Sequence, residues 1–511
     1  MYCSVRSFGT DGIGGYEVEI EVNITSGLPR FDMVGLADTA IKESRERVRA
    51  AIKNCGYSFP PSHITVNLAP ADRKKTGTVY DLPILVGILT AFSKNLPKDK
   101  KIIPHLPEGT AFLGEVALNG DIRPVCGALP MAMCAARSGV RQLFVPADNA
   151  SEAAFASGIE IFGVENISQL VSHFKGDTKI KRTAEEKIKC ETDNMLDFAD
   201  VKGQESVKRS LEIAAAGGHN ILIIGPPGTG KSMMARRLPS ILPDMTRDEM
   251  LKCTEIFSVA GMTGRKNPVI TSRPFRSPHH TISSVGLSGG GSYPRPGEIS
   301  LAHNGVLFLD ELPEFPQDTL EVLRQPLEDG EITVSRVSGN VTFPSRFMLV
   351  CAMNPCKCGW YGSPSHPCSC SPSDVRRYQK RIPGPLMDRI DIIVKADSLE
   401  FNEIKSNEKA ESSENIKKRV DKARVIQRKR YENDTLSNAS VSPSVLRKYC
   451  SLSPEGEELI HDAFDAMNLS ARSYDRILRV ARTIADIDGS EDILPDHICE
   501  AIQFRTYDID G

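Results

Sequence analysis

The chain has 511 residues, of which 40% are hydrophobic and 25% are charged, and its formal net charge is −3. These values are typical of a globular protein of about three domains, and they exclude a basic field over the whole surface, so any site for a polyanion must be local. The thirteen cysteines, in a chain whose first residues lack a basic-then-apolar signal sequence, favour reduced thiols and a cytoplasmic location over a disulfide framework.

Residues 1–175 predict a domain of mixed strands and helices. Apolar residues alternate over 16–24, as in a half-buried strand, and residues 39–51 have the spacing of an amphipathic helix. The longest apolar run, 82–92, is interrupted by a proline and a glycine and is too short to cross a bilayer. We therefore predict a core helix there and no membrane partner. The charged, polar stretch 176–195 predicts a linker.

A glycine-rich octet, G-P-P-G-T-G-K-S, directly follows the apolar run 221–224. A turn of this kind between a strand and a helix is a P-loop, whose backbone N–H groups cradle phosphates. Its lysine reaches the β- and γ-phosphates, and its serine hydroxyl binds Mg²⁺. The octet therefore predicts a site for a nucleoside triphosphate with Mg²⁺, made by Gly225, Pro226, Pro227, Gly228, Thr229, Gly230, Lys231 and Ser232.

An acid-free stretch follows the P-loop. Residues 256–297 contain no Asp or Glu, and they are rich in glycine and proline, as loops are. Basic side chains in such loops suit a polyanionic partner, and so does a predicted hairpin over 332–343 with its turn at 338–340. Alternatively, these basic residues pair with acids across subunit interfaces. The candidate contacts are Arg273, Arg276, Arg295 and Arg336.

Residues 196–397 alternate apolar strands with helical segments, as in a parallel α/β sheet, and two of these strands end in polar residues. The first strand ends at Asp310 and Glu311, which is the Walker B pattern. Asp310 can hold Mg²⁺ beside Ser232, and Glu311 can orient and deprotonate the attacking water. The second strand ends near Asn354, which is either a contact to the γ-phosphate or the water, or a simple turn residue.

Four cysteines follow this strand in two closely spaced pairs. Nine residues of turn-forming sequence separate Cys358 from Cys368. Four thiolates can close a tetrahedral structural Zn²⁺ site, although each pair is tighter than the usual C-x₂-C. Alternatively the thiols are reduced and bind no metal, and His366 is a weaker additional ligand. The predicted ligands are Cys356, Cys358, Cys368 and Cys370.

The last quarter of the chain, from Arg389 onward, contains a short strand and then helical segments. Arg389 precedes a short apolar strand, and is either a surface ion-pair residue or an arginine finger that reaches the γ-phosphate of a neighbouring subunit. Residues 401–440 are strongly charged and predict a connecting segment with an exposed helix over 414–431. Residues 441–511 have the apolar spacing of a wholly helical unit.

Taken together, these motifs resemble an AAA+ ATPase. The P-loop, the Walker B strand, Asn354 and L-M-D-R at 386–389 follow one another in the AAA+ order. P-R-P-G-E-I-S-L-A-H-N-G at 294–305 is similar to the magnesium-chelatase-like branch. The chain is identified as a member of the YifB/ComM family by three further motifs, S-P-H-H at 277–280, S-A-R-S-Y-D-R-I at 470–477 and L-P-R-F-D-M-V-G-L at 28–36.

The resemblance, which covers essentially the whole chain, implies the fold and the remaining site residues. It implies an α/β AAA+ P-loop NTPase core over 196–400 and a magnesium-chelatase C-terminal-like helical lid over 441–511. An α+β Lon-protease-like domain, of the ribosomal S5 domain 2 type, precedes them over 1–175. Gly203 and Gln204 match the segment that borders the adenine, and Arg472 matches the sensor-2 arginine.

The resemblance also implies a function, namely an ATP- and Mg²⁺-dependent motor that forms a homo-oligomeric ring, a hexamer. Such a motor acts on DNA as a helicase in branch migration, during natural transformation or recombination. Two alternatives stay open. One is a chelatase-type motor that inserts Mg²⁺ into a porphyrin, although the chain has no D-x-S-x-S motif. The other is a protein remodeller whose N-terminal domain is a binding module.

The Lon-like resemblance implies a domain without protease activity. A Lon-type protease needs a serine nucleophile and a lysine that activates it. Val79 falls where the serine would be, and Met131 lies near the expected lysine. The usual G-S-G-F-D of the family is also replaced by G-T-V-Y-D at 77–81.

Overall fold

The protein is described by a computed structural model that covers residues 1–185, 196–291, 294–336, 339–364, 366–398, 410–466 and 470–505, with only the backbone of Arg336 and Gly339. The chain divides into two compact units. The first comprises Met1–Lys189 and Arg247–Thr271, and the second comprises Cys190–Thr246 and Ser272–Gly511. The segment Arg247–Thr271, which the sequence placed within the predicted ATPase core, thus clusters with the first unit. Parts of the predicted linker and connecting segment, 186–195 and 401–409, lie outside the described residues.

The first unit is built around one mixed sheet. Eight of its described strands follow the order β10-β9-β8-β5-β1-β2-β4-β3, and β6 pairs with β7 separately. The strands are β1 (Tyr2–Asp11), β2 (Gly14–Thr25), β3 (Arg30–Val34), β4 (His63–Ala69), β5 (Thr110–Phe112), β6 (Glu115–Val116), β7 (Ile122–Arg123), β8 (Gln142–Pro146), β9 (Glu160–Val164) and β10 (Arg182–Thr183). Since β10 pairs with β9, the sheet continues past residue 175 into the predicted linker.

The helices of the first unit cover this sheet. They are α1 (Thr39–Asn54), α2 (Asp81–Ser93), α3 (Ala128–Arg137), α4 (Ala150–Ala153), α5 (Ile167–Lys175) and α8 (Arg247–Val259). The alternating residues of β2 are buried as predicted, and so is nearly every residue of α2. Gly87 lets α2 lie close to β2, because a Cβ at this position would be 2.6 Å from Val22 Cγ2. The predicted core helix is confirmed.

Val79 and Met131 are both buried, and neither side chain is a nucleophile or a base. The arrangement is compatible with the predicted domain without protease activity, and the Lon-like fold stays a prediction. No helix among the described residues combines the length and the apolar character needed to cross a membrane.

The second unit contains a five-stranded parallel sheet in the order β12-β15-β18-β11-β19. Four further strands of the second unit lie outside this sheet, in the pairs β13-β14 and β16-β17. The described strands of the unit are β11 (Ile221–Ile224), β12 (Phe275–Arg276), β13 (Gly289–Gly290), β14 (Arg295–Pro296), β15 (Val306–Leu309), β16 (Glu331–Arg336), β17 (Gly339–Pro344), β18 (Met348–Met353) and β19 (Ile392–Lys395). The predicted parallel α/β core is confirmed. Because all five strands run in one direction, the residues that follow them meet at one edge of the sheet, where ligands of such sheets bind.

Strands β16 and β17 form the predicted hairpin, with Arg336 paired to Gly339 and Ser335 paired to Asn340. The prediction that Gly339 and Asn340 are turn residues was wrong. The remaining predicted turn residue, Ser338, lies outside the described residues.

The helices of the second unit surround the sheet and then form a bundle. They are α6 (Glu205–Gly217), α7 (Lys231–Ala235), α9 (Ser284–Ser288), α10 (Glu298–Leu301), α11 (Gln317–Glu321), α12 (Arg324–Asp329), α13 (Pro372–Gln379), α14 (Gly384–Met387), α15 (Ser413–Tyr431), α16 (Pro443–Tyr449), α17 (Pro454–Ala466), α18 (Ala471–Asp488) and α19 (Pro495–Gln503). In the bundle, α18 packs against α6, α15 and α19. The predicted helical character of 441–511 is confirmed for its described residues.

The bundle is tied to the sheet through a buried polar network at the start of β11. His219 contacts Asp391 through Nδ1 at 3.1 Å and Thr483 of α18 through Nε2 at 2.8 Å. The hydrogen bond from His219 holds the pKa of Asp391 below its usual range despite burial. The helical bundle is therefore joined to the strand that carries the P-loop.

Candidate nucleotide-hydrolysis site

The P-loop joins β11 to α7 through a turn whose backbone favours glycine at two points. Gly228 and Gly230 have φ angles of 83° and 81°, in the left-handed region that favours glycine. Gly225 lies against the chain after β19, where a Cβ would be 2.4 Å from the carbonyl oxygen of Ala396. The loop therefore has the backbone geometry that its sequence predicts.

Lys231 lies folded into the P-loop. Its ammonium donates to the carbonyl oxygens of Gly225 at 2.7 Å and Pro226 at 2.8 Å, and to Asn354 Oδ1 at 3.2 Å. Burial lowers the pKa of Lys231 to about 8, and the charges of the neighbouring acids oppose this shift. A phosphate that approaches the ammonium would compete with neutral oxygens, so these contacts are replaceable.

Ser232 and Asp310 form the predicted Mg²⁺ pair. The Ser232 hydroxyl donates to Asp310 Oδ2 at 2.5 Å, across 78 residues of sequence. The other carboxylate oxygen, Oδ1, accepts from the backbone N–H of Glu311 at 3.0 Å. Hydroxyl and carboxylate oxygens are the hard donors that Mg²⁺ prefers, so this pair fits the ion that the family implies.

Glu311 follows Asp310 with a φ of 54°, which is uncommon for a residue other than glycine. Its side chain is 56% exposed, and its Oε2 lies 3.3 Å from Nδ1 of His280. His280 follows β12, the strand beside β15. The S-P-H-H motif contains His280 but did not predict this contact. A polar residue shortly after a strand next to Walker B is the pattern that would have found it.

Asn354 follows β18 and lies beside the P-loop through its contact with Lys231. The structure therefore brings it to the phosphate-binding edge, as expected for a residue that contacts the γ-phosphate or water. Gly203 and Gln204, the predicted adenine-side segment, both have left-handed backbones with φ angles of 58° and 59°. The Gln204 amide donates to the carbonyl oxygen of Asp397 at 2.5 Å, just after β19. The roles of these residues stay predictions.

Arg389 is held inside its own chain. It is 13% exposed, forms an ion pair with Glu328, and donates to the carbonyl oxygen of Pro385 at 2.5 Å. Burial lowers the pKa of Arg389, and the nearby charges of Arg324 and Arg472 add to this effect. Arg389 is thus an ion-pair residue in the single chain, but a largely buried one rather than a surface one.

Arg472, the predicted sensor-2 residue, lies near Arg389. It forms an ion pair with Asp388 at 3.0 Å, and its side chain is 69% exposed. The two predicted arginines, which are 83 residues apart in sequence, are therefore brought together with Arg324 in one basic cluster. No sequence motif predicted this cluster.

Two of the predicted DNA contacts are used within the fold. The Arg276 guanidinium binds Glu298 through two hydrogen bonds of 2.6 and 2.7 Å, and Arg273 donates to the carbonyl oxygens of Pro243 and Asn304. Arg276 thus pairs with an acid as the alternative expected, although within its own chain. Arg295 is exposed on β14, and the side chain of Arg336 lies outside the described residues.

The four predicted zinc ligands come together after β18. Their sulfur atoms all lie within 4.8 Å of one another. His366 instead packs against the ring of Trp360, with 4.3 Å between the ring centroids. Cys351, by contrast, is buried within β18 and lies outside this group.

Comparison with protein families gives matches over most of the chain. Residues 197–404 match the model described as magnesium chelatase, subunit ChlI, and residues 20–149 match subunit ChlI of Mg-chelatase. Residues 410–505 match the C-terminal model of the same subunit. The first of these matches contains the P-loop, both Walker B acids and Arg389.

Some relatives match nearly the whole chain, and others match only about a third of it. The uncharacterized protein YifB of Salmonella typhimurium is 42% identical over 97% of this chain and 96% of its own length. Competence protein ComM of Haemophilus influenzae is 39% identical over 98% of this chain and 97% of its own. The magnesium-chelatase 38 kDa subunit of Cereibacter sphaeroides is 27% identical over only 31% of this chain and 52% of its own. The first two relatives therefore match the chain from end to end.

Proposed function

Because the chain belongs to the YifB/ComM family of magnesium-chelatase-like AAA+ ATPases, we propose that it is an ATP-hydrolysing ring motor that acts on DNA. The observation that carries the ATPase part of this proposal is the meeting of Ser232, Asp310 and Lys231 at one edge of the parallel sheet. A hydroxyl, a carboxylate and a buried ammonium at the end of a P-loop are the groups that bind a nucleoside triphosphate with Mg²⁺.

Each residue of this edge has a distinct task in the proposed hydrolysis. Lys231 exchanges its carbonyl contacts for phosphate oxygens. Ser232 and Asp310 would hold Mg²⁺, which would supply positive charge against the phosphates. Glu311 takes the proton of the attacking water once its side chain turns from His280 toward the nucleotide. Asn354 is near enough to Lys231 to orient that water or contact the γ-phosphate.

The transition-state charge requires a further cation, and we propose that a neighbouring subunit supplies it. Arg389 and Arg472 lie together in one basic cluster, and the acid partners that hold them belong to their own chain. Guanidinium groups placed against the γ-phosphate of the next subunit stabilise the charge that develops during transfer. Hydrolysis would then require a homo-oligomeric ring, proposed as a hexamer.

The proposed DNA contacts now centre on Arg295 and the β16–β17 hairpin with Arg336, because Arg273 and Arg276 have structural roles. Arginine side chains bind phosphates with salt-dependent affinity, and Arg295 is exposed. One relative that matches nearly the whole chain is named a competence protein, which supports a role in natural transformation. We propose that the motor acts there, or in recombination, as a helicase in branch migration. A cytoplasmic location is part of the same proposal.

The test measures ATPase stimulation and strand displacement on forked and four-way DNA across a salt series. We expect stimulation that weakens as salt rises, because phosphate contacts release counterions. Arg295→Gln should weaken DNA stimulation and lower the salt slope by about one. Lys429→Gln, which removes an exposed cation on α15, is the matched control and should leave both unchanged.

An absence of any DNA response at low salt would overturn the DNA part of the proposal. Stimulation by an unfolded protein substrate in place of DNA would favour a protein remodeller. Stimulation that requires a porphyrin and partner subunits would favour a chelatase-type motor. An inactive protein that does not bind ATP would overturn the ATPase part as well.

A further inference from the structure

We propose that Cys356, Cys358, Cys368 and Cys370 bind one structural Zn²⁺ and that the loop closed by this ion supports the P-loop. Nucleotide binding then depends on the metal, although no cysteine touches the nucleotide. The second half of this inference rests on the proposed ATPase function, because it requires that the P-loop binds ATP. The first half does not.

The positions of the four sulfurs fit a tetrahedral zinc site. Around Zn²⁺ with Zn–S distances of about 2.3 Å, the sulfurs would be about 3.8 Å apart. Cys356 Sγ lies 3.3 Å from Cys358 Sγ and 3.7 Å from Cys368 Sγ, and the last two are 3.5 Å apart. All four fall within 4.8 Å of one another, and none of them is in a disulfide. Small movements would bring them to the zinc distance.

Backbone N–H groups already point at two of these sulfurs. Tyr361 N donates to Cys356 Sγ at 3.3 Å, and Cys370 N donates to Cys368 Sγ at 3.4 Å. Gly359 and Gly362, with φ angles of 87° and 72°, allow the turn after the first pair. Hydrogen bonds to the sulfurs stabilise thiolates and fix their direction, as the outer contacts of metal ligands do.

The loop lacks regular secondary structure in its described residues, and its second half is poorly buried. Between the end of β18 at Met353 and the start of α13 at Pro372, no described residue belongs to a helix or strand. From Tyr361 to Ser371 every described residue is exposed or half-exposed. A segment that cannot bury an apolar core needs another source of order, and a metal supplies it in many small units.

The same loop packs directly against the P-loop. A Cβ on Gly359 would lie 2.8 Å from Pro227 Cδ and 3.9 Å from Asn354 Cγ. Tyr361 lines one small pocket together with Gly225, the first residue of the P-loop. Order in the cysteine loop is therefore transmitted by contact to the phosphate-binding turn and to Asn354.

The first experiment measures the metal itself. Elemental analysis of the purified full-length chain should find one zinc per chain, and a thiol-blocking reagent should release it to a zinc-sensitive dye. Cys368→Ser with Cys370→Ser should remove the zinc, whereas Cys499→Ser, at an exposed cysteine on α19, should retain it. A folded wild-type chain without zinc, even after purification in zinc-containing buffer, would overturn the proposal.

The second experiment tests the contact with the P-loop through two glycines. Gly359→Ala and Gly362→Ala impose the same left-handed strain, but a Cβ at Gly362 meets nothing within 4 Å. We expect Gly359→Ala to weaken binding of a fluorescent ATP analogue about tenfold more than Gly362→Ala does, a difference of ~1.4 kcal/mol. Both variants should keep one zinc per chain. Equal ATP affinities in the two variants would remove the coupling.

A chelator completes the test, since it leaves the sequence unchanged. Removal of zinc from the wild-type chain should weaken ATP binding, and returning Zn²⁺ should restore it. Unchanged ATP affinity after complete zinc loss would refute the support of the P-loop but leave the metal site standing. Failure of the zinc-loaded wild-type chain to bind ATP would instead count against the proposed ATPase function.

Discussion

The two halves of the candidate hydrolysis site differ in how complete they are within one chain. In the phosphate-binding half, Lys231 contacts Asn354, and Ser232 contacts Asp310, at hydrogen-bond distances. In the arginine half, the predicted finger and the sensor-2 residue contact acids of their own chain instead. The groups of the first half already lie together, whereas the arginines of the second half are paired with Glu328 and Asp388.

This difference suggests how binding and hydrolysis are separated. A single chain brings together the side chains proposed to hold the phosphates and Mg²⁺, so we expect nucleotide binding to need no partner. Arg389 must leave Glu328 before it can reach a phosphate, and only a competing negative charge can draw it away at low cost. A neighbouring nucleotide supplies such a charge, so we expect hydrolysis to be coupled to ring assembly.

The largest expected effect comes from Arg389→Ala. If the arginine acts in trans, kcat for ATP hydrolysis should fall by about 10³-fold, while the isolated chain binds ATP as before. Mixing this variant with Glu311→Gln should restore part of the activity. Some interfaces in the mixed ring then combine an intact Arg389 with an intact Glu311. Steady-state ATPase rates over a range of mixing ratios measure this recovery.

Arg381→Ala is the control for that prediction, because Arg381 also pairs with an acid of its own chain, Glu314, at 3.2 Å. It should hydrolyse ATP at close to the normal rate. Normal hydrolysis by Arg389→Ala would end the distinction between the two halves. Mixed rings that assemble, as judged by sedimentation, but hydrolyse no ATP would also end this distinction.

The next largest effect concerns the base assigned to the phosphate-binding half. Glu311→Gln should bind ATP normally but lower kcat by at least about 10²-fold, because an amide cannot accept the proton of the water. Glu314→Gln, three residues further along, is the matched control and should stay active. Equilibrium binding and single-turnover hydrolysis separate the two steps. Normal turnover in Glu311→Gln would exclude it as the base.

A pH dependence of ATP binding should follow from Lys231. Its pKa of about 8 lies below the usual value for lysine, so the amine loses its proton as the pH rises above 8. Phosphates require the ammonium, and ATP affinity should therefore fall by up to tenfold per pH unit in this range. The stability of the ligand-free chain depends on pH in the opposite direction. The unfolded chain then binds more protons than the folded one, and the free energy of unfolding rises with pH above 8.

Calorimetric or fluorescence titrations with the ATP analogue between pH 7 and 9.5 measure this prediction. Lys231→Arg should lower the slope, since arginine stays protonated throughout. An ATP affinity that does not change between pH 8 and 9.5 in the wild-type chain would show that the ammonium is not deprotonated in the free P-loop.

The smallest expected effect concerns His280, whose contact with Glu311 is partly exposed. Such pairs are worth at most about 1 kcal/mol. His280→Ala should therefore raise the basal ATPase rate only about two- to threefold, because it frees the Glu311 carboxylate to face the nucleotide. His279→Ala is the neighbouring control. A fall in the rate would mean that His280 assists the base instead of restraining it.

Much of the fold could be predicted from local pattern. The alternation in β2, the apolar run of α2 and the helical spacing of 441–511 all led to elements that the structure contains. The P-loop and Walker B were predictable for the same reason, because their chemistry requires particular residue types next to one another. The turn of the hairpin was predicted wrongly, because Gly339 was taken as a turn residue although it lies in β17.

Pairs formed between distant residues could not be predicted in this way. The sequence predicted Arg276 as a DNA contact, and only the tertiary structure showed that Glu298 binds its guanidinium. The roles of Arg389 and Arg472 were predicted from separate motifs, and only the tertiary structure showed that the two side chains lie in one cluster. The contact between Gly359 and Pro227 also joins segments more than a hundred residues apart.

The sequence by itself determined which groups this protein brings to its chemistry: a phosphate-binding loop, two acids after a strand, four closely spaced thiols and a set of arginines. Adjacent residues suffice for that, because backbone conformation and short motifs are local properties. The tertiary structure alone decided which arginines pair with acids of their own chain and which loop lies against the P-loop. Those outcomes depend on the packing of distant strands and loops, which no local pattern contains.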